Sequence, residues 1–293
     1  MNARVEAGAR IIDGRAVARH MRAGFATKVR ALAERGIRPG LAVIVVGDDP
    51  ASAVYVRNKA NACREVGIHS ELHRFPAVCS QGEVLTRIQA LNDDDRIHGI
   101  IVQLPLPGRF DMRRVLESVS LDKDVDGFHL YNVGSLVIGD TIFPPCTPYG
   151  VQCLLEHEGI EVEGQNVVVV GASNIVGKPM AMMLLKNEAT VSICHVKTRD
   201  LGQYTLLADI LVVAAGVPNL IVPQMVKTGA VVIDVGINRL PDGRLVGDVD
   251  FEGVRRKASY ITPVPGGVGP MTVTMLLHNT IEAAARAKAA VPA

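Results

Sequence analysis

Between Gly14 and Arg35, apolar residues recur at Val17, Met21, Phe25, Val29 and Leu32. That spacing predicts one buried helix face, ended by Gly36. Leu41 to Val46 is an unbroken apolar run and reads as a buried strand; the turn Gly47-Asp48-Asp49-Pro50 ends it. From Ser52 to Val66 there is neither Gly nor Pro, and Gly67 follows as a helix C′ residue would. A strand near Ile68–Phe75 comes next. Ser80 and Glu83 have capping-box spacing, with Val84, Leu85, Ile88 and Leu91 as the inward face of the helix they open. Ile97–Gln103 reads as a further strand, and a short helix follows Asp111. The order αβαβαβ implies a mostly parallel sheet with helices on its faces.

Residues 129–146 carry Gly134, Gly139, Pro144 and Pro145 and read as irregular, so a domain boundary is expected there. Thr147-Pro148 reads as N-cap and first residue of a helix that ends at Gly159. Strands are then expected at Asn166–Val170, Ala189–Cys194, Ile210–Ala214 and Ala230–Val235, with helices or loops between them. A final alanine-rich helix is expected from Thr272 to about Lys288.

The chain has 293 residues, a comfortable length for two domains. Lys+Arg 31 against Asp+Glu 30 gives a formal charge of +1 with no long charged block, so neither nucleic acid nor a membrane surface is an expected partner. No apolar run reaches the length of a membrane span. Met1–Arg10 lacks the apolar core of a signal peptide, which points to a cytoplasmic protein. The five cysteines include no CxxC and read as thiols in a reducing compartment. The eight histidines show no ligand spacing, and no metal is expected.

Candidate chemistry begins at Ser52, Tyr55 and Lys59. They share a helix face just beyond a strand's carboxyl end, where open α/β sheets bind ligands. Gln103 ends a second strand and should reach the same edge; Leu104-Pro105-Leu106-Pro107 stiffens the chain after it. In Lys123-Asp-Val-Asp126-Gly127, a carboxylate in a cleft would accept paired N–H donors from a planar heterocycle. Gly171-Ala172-Ser173-Asn-Ile175-Val176-Gly177 follows a strand and opens a helix, the context of a pyrophosphate-binding turn. His195-Val196-Lys197-Thr198-Arg199 ends the next strand with cations and no acid, which suits a 2′-phosphate. Ala215-Gly216, Ile237 and the loop Pro263 to Thr272, with Pro265, Gly266 and Gly267, lie at further strand ends on this edge.

Taken together, Ser52-xx-Tyr55-Val-xx-Lys59, Val102-Gln103-Leu-Pro-Leu-Pro107, Lys123-Asp-Val-Asp126-Gly, Gly171-x-Ser-xx-Val-Gly177-x-Pro and Pro263-Val-Pro-Gly-Gly-Val-Gly-Pro-Met-Thr272 resemble the bifunctional methylenetetrahydrofolate dehydrogenase/cyclohydrolase family, the bacterial FolD type. The likeness runs from about Ile12 to the final helix. It implies an α/β fold of two domains. The first is a catalytic, folate-binding domain of residues 1–144 completed by 272–293. The second is a Rossmann-type NAD(P)-binding domain of residues 145–271. It also implies a homodimer. On the matching positions, Tyr55 stacks on the folate, Lys59 is the catalytic amine, Gln103 its polar partner and Asp126 the acid that grips the pterin. Ser52, Pro265, Gly266 and Gly267 join the substrate set. The cofactor set is Gly171, Ala172, Ser173, Ile175, Val176, Gly177, His195, Lys197, Thr198, Arg199, Ala215, Gly216, Ile237 and Thr272.

Two positions depart from the family pattern: Ala172 stands where many members have Arg, and Val196 where some have Ser. With Lys197 and Arg199 nearby, NADP is still favoured over NAD. The implied activity belongs to one-carbon metabolism: oxidation of 5,10-methylenetetrahydrofolate with NADP, then hydrolysis of the methenyl product to 10-formyltetrahydrofolate. The alternatives are a monofunctional, NAD-using dehydrogenase and a non-enzymatic NADP-binding protein. Lys59 and Gln103 argue against the first, and Tyr55, Lys59 and Asp126 against the second.

Overall fold

The structure, a computed structural model, describes residues 8–289; most of the Met1–Arg10 stretch lies outside the described residues. The chain opens with β1 (Arg10–Ile11), α1 (Gly14–Glu34), β2 (Gly40–Val46), α2 (Pro50–Val66), β3 (His69–Phe75), α3 (Gln81–Asn92) and β4 (Gly99–Val102). Then come α4 (Met112–Glu117), α5 (Leu130–Ile138), α6 (Cys146–His157), β5 (Asn166–Val170), α7 (Gly177–Lys186), β6 (Thr190–Cys194), α8 (Leu201–Thr205) and β7 (Ile210–Val213). It closes with β8 (Val231–Asp234), β9 (Asn238–Arg239), β10 (Leu245–Val246), α9 (Phe251–Arg255), β11 (Tyr260–Ile261) and α10 (Val268–Ala289). Among the described residues, no helix is long and apolar enough to cross a membrane.

Two compact units result: residues 19–146 with 273–289, and residues 8–18 with 147–272. In the first, β2 is the centre of a parallel sheet ordered β3-β2-β4. All seven of its residues are buried, which explains the unbroken apolar run, while edge strand β3 alternates between half-buried and exposed. Val84, Ile88 and Leu91 of α3 pack with Ile44 and Ile100 beneath the sheet. The capping box forms as expected: Ser80 Oγ accepts from Glu83 N, and Glu83 returns a carboxylate to Ser80 N at 2.8 Å.

The second unit holds a six-stranded parallel sheet, β1-β11-β8-β7-β5-β6. Numbered from β5, the order is 2-1-3-4-5 with β1 added at the far edge. The order reverses between β5 and β7, the topological switch point where doubly wound sheets take their ligands. Val168, Val170, Leu211, Val213, Val232 and Ile261 form its core.

The segment 129–146, read as irregular, contains α5. His129 caps this helix, accepting from Tyr131 N at 3.1 Å, and Gly139 ends it at φ 77°. The final helix starts at Val268, four residues before the expected Thr272. Pro270 lies in its first turn, where a missing N–H costs nothing.

Lys123 closes the end of α3. Its Nζ donates to the carbonyls of Leu91 (3.0 Å), Asn92 (2.7 Å) and Asp94 (2.9 Å), where a helix leaves acceptors unpaired and a cation is favoured. Lys123→Met leaves these half-buried carbonyls without their charged donor. A drop in stability of roughly 2–3 kcal/mol is expected, read as a lower urea midpoint at an unchanged slope. A midpoint equal to wild type would mean that water replaces the ammonium at no cost.

Candidate active site

In the first unit, α2 leaves the carboxyl end of β2 through a well-defined cap. Asp49 accepts from Ser52 N and from Ser52 Oγ, both at 2.8 Å. At the other end Gly67 is left-handed (φ 88°) and donates to Cys63 O. The helix presents buried Ser52, half-buried Tyr55 and buried Lys59 on one face. The Ser52 hydroxyl is thus already committed as a donor within the cap.

Gln103 extends the β4 pairing by one residue, donating its backbone N–H to Ile44 O at 2.8 Å. Its side-chain NH2 donates to Leu104 O at 2.8 Å, which turns the amide oxygen toward Lys59. Lys59 Nζ donates to that oxygen at 3.0 Å. Burial raises the Tyr55 hydroxyl above its usual range, so it stays protonated. Burial also pushes Cys63, one helical turn after Lys59, up to about 12 despite the ammonium; this thiol is inert.

The turn that carries Asp126 is fixed from several directions. Gly127 sits at φ 75°, and a Cβ there would lie 2.6 Å from Phe143 O. Asn279 of α10 donates to Val125 O at 2.9 Å and to Pro144 O at 3.0 Å. Asp124, only 4% exposed, accepts from Phe128 N, His129 N and Asn132 Nδ2 at 3.2, 2.8 and 2.7 Å. Burial holds its carboxyl up at about 6. Lys123 and Asp124 therefore build the turn. Asp126 is half-buried by accessible surface. Desolvation raises its carboxyl, while the Lys59 charge and a hydrogen bond with Cys146 lower it. An amine, an amide oxygen and an acid thus gather here, and Tyr55 lies one helical turn before the amine.

In the second unit, the glycine turn follows β5 at the switch point. Gly171 has φ 120°, and a Cβ on it would lie 2.2 Å from Ala214 O, just beyond β7. A Cβ on Gly177 would lie 1.9 Å from Gly171 O, so the start of α7 packs directly on the turn. Ser173 Oγ accepts from Val176 N (3.1 Å) and Gly177 N (3.3 Å) and closes the loop; Ala172 and Ile175 are half-buried within it. This is a backbone cradle at a helix N-terminus that a side chain would fill, and it fits a dinucleotide's pyrophosphate.

After β6, Thr198 Oγ1 accepts from His195 N (2.9 Å), and His195 Nδ1 accepts from Lys197 N (3.1 Å). The cations of this loop are the exposed Lys197 and Arg199. Val196 is 95% exposed. Ala215-Gly216 follows β7, and Ile237 lies near Gly269. Thr272 Oγ1 meets Thr147 Oγ1 at 3.0 Å.

The loop with Pro265, Gly266 and Gly267 belongs to this second unit and is held by the start of α1. Arg15 N donates to Gly266 O at 3.2 Å, and a Cβ on Gly14 would overlap Gly267 O at 1.8 Å. Gly14, Cys146, Asn279 and the wholly buried Asp248 brace turns around these groups, and sequence reasoning passed over them. Their partners lie far away in the chain, and no local spacing signals them.

A model of the tetrahydrofolate dehydrogenase/cyclohydrolase catalytic domain matches residues 12–126, and one of the same family's NAD(P)-binding domain matches 145–288. The bifunctional protein FolD of Nitrosospira multiformis is 63% identical over 281 residues, 96% of this chain and 98% of its own. The solved FolD methylenetetrahydrofolate dehydrogenase/cyclohydrolase of Campylobacter jejuni is 52% identical with a TM-score of 0.93, covering 95% of this chain and 99% of that one. FolD of Trypanosoma brucei, solved with NADP and an inhibitor, is 40% identical with a TM-score of 0.94, over 97% and 99%. The glycine cradle at the switch point, the Lys59–Gln103 pair and likeness over almost the whole length agree: the chain belongs to the tetrahydrofolate dehydrogenase/cyclohydrolase family.

Proposed function

We propose that this chain is a cytoplasmic homodimer that oxidises 5,10-methylenetetrahydrofolate with NADP and hydrolyses the methenyl product to 10-formyltetrahydrofolate. The single observation that carries this reading is the buried Lys59 amine held against the Gln103 amide oxygen near Asp126. A bound NADP supplies the hydride acceptor; Gly171, Ser173 and Gly177 would hold its pyrophosphate, and Lys197 and Arg199 its 2′-phosphate. In the first step the folate nitrogen lone pairs expel the hydride, so the chain's residues mainly bind and orient. Tyr55 offers a face for the pterin and Asp126 an acceptor for its N–H groups.

The second step needs a proton moved. Water attacks the methenyl carbon and loses one proton; the ring then opens as the adduct's hydroxyl gives up its remaining proton to form the formyl carbonyl, the carbon–nitrogen bond breaks and the released nitrogen takes up a proton. A cation disfavours a second charge close by, so an amine facing the methenyl group is turned toward its proton-accepting form. Lys59 takes the proton, with the Gln103 oxygen directing it. A monofunctional, NAD-using dehydrogenase is not favoured: curated relatives 57–63% identical are named bifunctional, and the Lys59–Gln103 pair serves the second step.

Lys59→Met keeps the side chain's apolar length and deletes the amine. Cyclohydrolase activity should fall by about 10²–10⁴-fold while dehydrogenase activity remains measurable, so that methenyltetrahydrofolate accumulates in the absorbance assay. An equal fall in both would make Lys59 a substrate-holding residue instead.

For the cofactor, kcat/KM should favour NADP over NAD, and replacing Lys197 or Arg199 with Ala should shrink that ratio. A wild-type preference for NAD would refute the 2′-phosphate reading.

The homodimer rests on the open edge at β6. Exposed Ile193 lies there, with Leu185 of α7 and Tyr204, Leu206 and Leu207 in and after α8, an uncovered strand with apolar flanks. The cytoplasmic location suits the four buried thiols Cys63, Cys79, Cys146 and Cys194. Purified protein should sediment at twice the chain mass, and the cellular protein should fractionate with the cytosol; a monomer at working concentration would exclude the assembly.

A further inference from the structure

We infer that Asp248 is a positioning residue for the dinucleotide, its carboxylate holding the Ala215-Gly216 turn after β7 in the shape that receives the cofactor. The inference rests on the reading of this sheet edge as the cofactor site. Asp248 is wholly buried. Its Oδ2 accepts from Ala215 N at 2.7 Å and Gly216 N at 2.9 Å, and its Oδ1 accepts from Asn238 Nδ2 at 2.8 Å. Two adjacent backbone amides thus converge on one oxygen, which an acceptor-only group suits.

Asp248 is itself held in place. Its backbone N–H donates to Asp234 Oδ1 at 3.0 Å, and buried Asp234 also accepts from Gly236 N and Val249 N, each at 3.0 Å. The packing leaves no slack: a Cβ on Gly236 would lie 2.2 Å from Asp248 Cγ, and one on Gly247 would lie 1.8 Å from Asp234 Oδ2. A buried charge is costly unless hydrogen-bonded, and here its donors belong to the turn itself. Gly216 stands at φ 69°, and the residue before Ala215 is Ala214, whose carbonyl the Gly171 turn packs against. Moving the clamp therefore moves both cofactor turns at the switch point.

The test uses the whole enzyme and three readouts: NADP and NAD affinity by calorimetry, dehydrogenase KM and kcat, and cyclohydrolase activity on methenyltetrahydrofolate, which consumes no dinucleotide. Asp248→Ala should raise the NADP Kd and KM at least tenfold and leave cyclohydrolase activity within about twofold of wild type. Asp248→Asn keeps one oxygen for the two amides and can pair its NH2 with a turned-over Asn238, so its NADP affinity should return to within about threefold of wild type. Wild-type affinity in Asp248→Ala overturns the inference, as does an equal loss of both activities in a folded Asp248→Ala protein. If Asp248→Ala does not fold, Asn238→Ala decides: an NADP KM raised threefold or more with unchanged cyclohydrolase supports the clamp, and no change overturns it. A wild-type enzyme that binds neither dinucleotide would instead overturn the cofactor reading.

Discussion

The hydrogen bond from Lys59 to Gln103 depends on two paired parallel strands that bring their carboxyl ends to one edge. Lys59 enters on α2 directly after β2, and Gln103 ends β4. Ile44 O accepts from Gln103 N, so the strand pairing itself sets the distance between the two side chains. An antiparallel neighbour would have sent Gln103 to the opposite edge. Burying the ammonium is unfavourable unless a partner replaces water, and the amide oxygen is that partner. The constraint also explains why the apolar run in β2 has no polar interruption: a central parallel strand is covered on both faces.

Neighbouring charges in one short motif do different jobs. Lys123 closes α3, Asp124 gathers the amides that begin α5, and Asp126, two residues on, remains beside Lys59. The second unit repeats the pattern with Asp234 and Asp248, two buried carboxyl groups held by backbone donors, with the Asn238 amide added on Asp248. Asp126 in the first unit and Ala215-Gly216 in the second sit on irregular turns, and buried acids bonded to those turns supply the rigidity that regular hydrogen-bond ladders supply in helices and strands.

The elements with a strong local period were legible from sequence: the α1 stripe, the apolar β2 run, the Ser80–Glu83 box and the glycine turn after β5. So was the meeting of Lys59 and Gln103, because parallel-strand geometry brings both to one sheet edge. Helix α5 was not legible. It carries Gly134 and exposes Leu130, Tyr131, Val137 and Ile138, so no polar face marks it against an apolar one. Its start is set by Asp124, a residue outside the helix.

What the sequence alone determined was therefore the set of periodic segments, their α/β order and the chemistry gathered at strand ends. The tertiary structure decided the two-residue strands, such as β1, which exists only through its pairing with β11, Arg10 with Tyr260 and Ile11 with Ile261. It also decided the strand order around the switch point and the clamps made by Asp248, Asn279 and Gly14. The physical reason is range. Helix and strand periods are written within a turn or two of chain, whereas Asn279 meets Val125 across 154 positions and Asp248 meets Ala215 across 33. Contacts of that span follow from how sheets and helices pack, and no residue's near neighbours carry them.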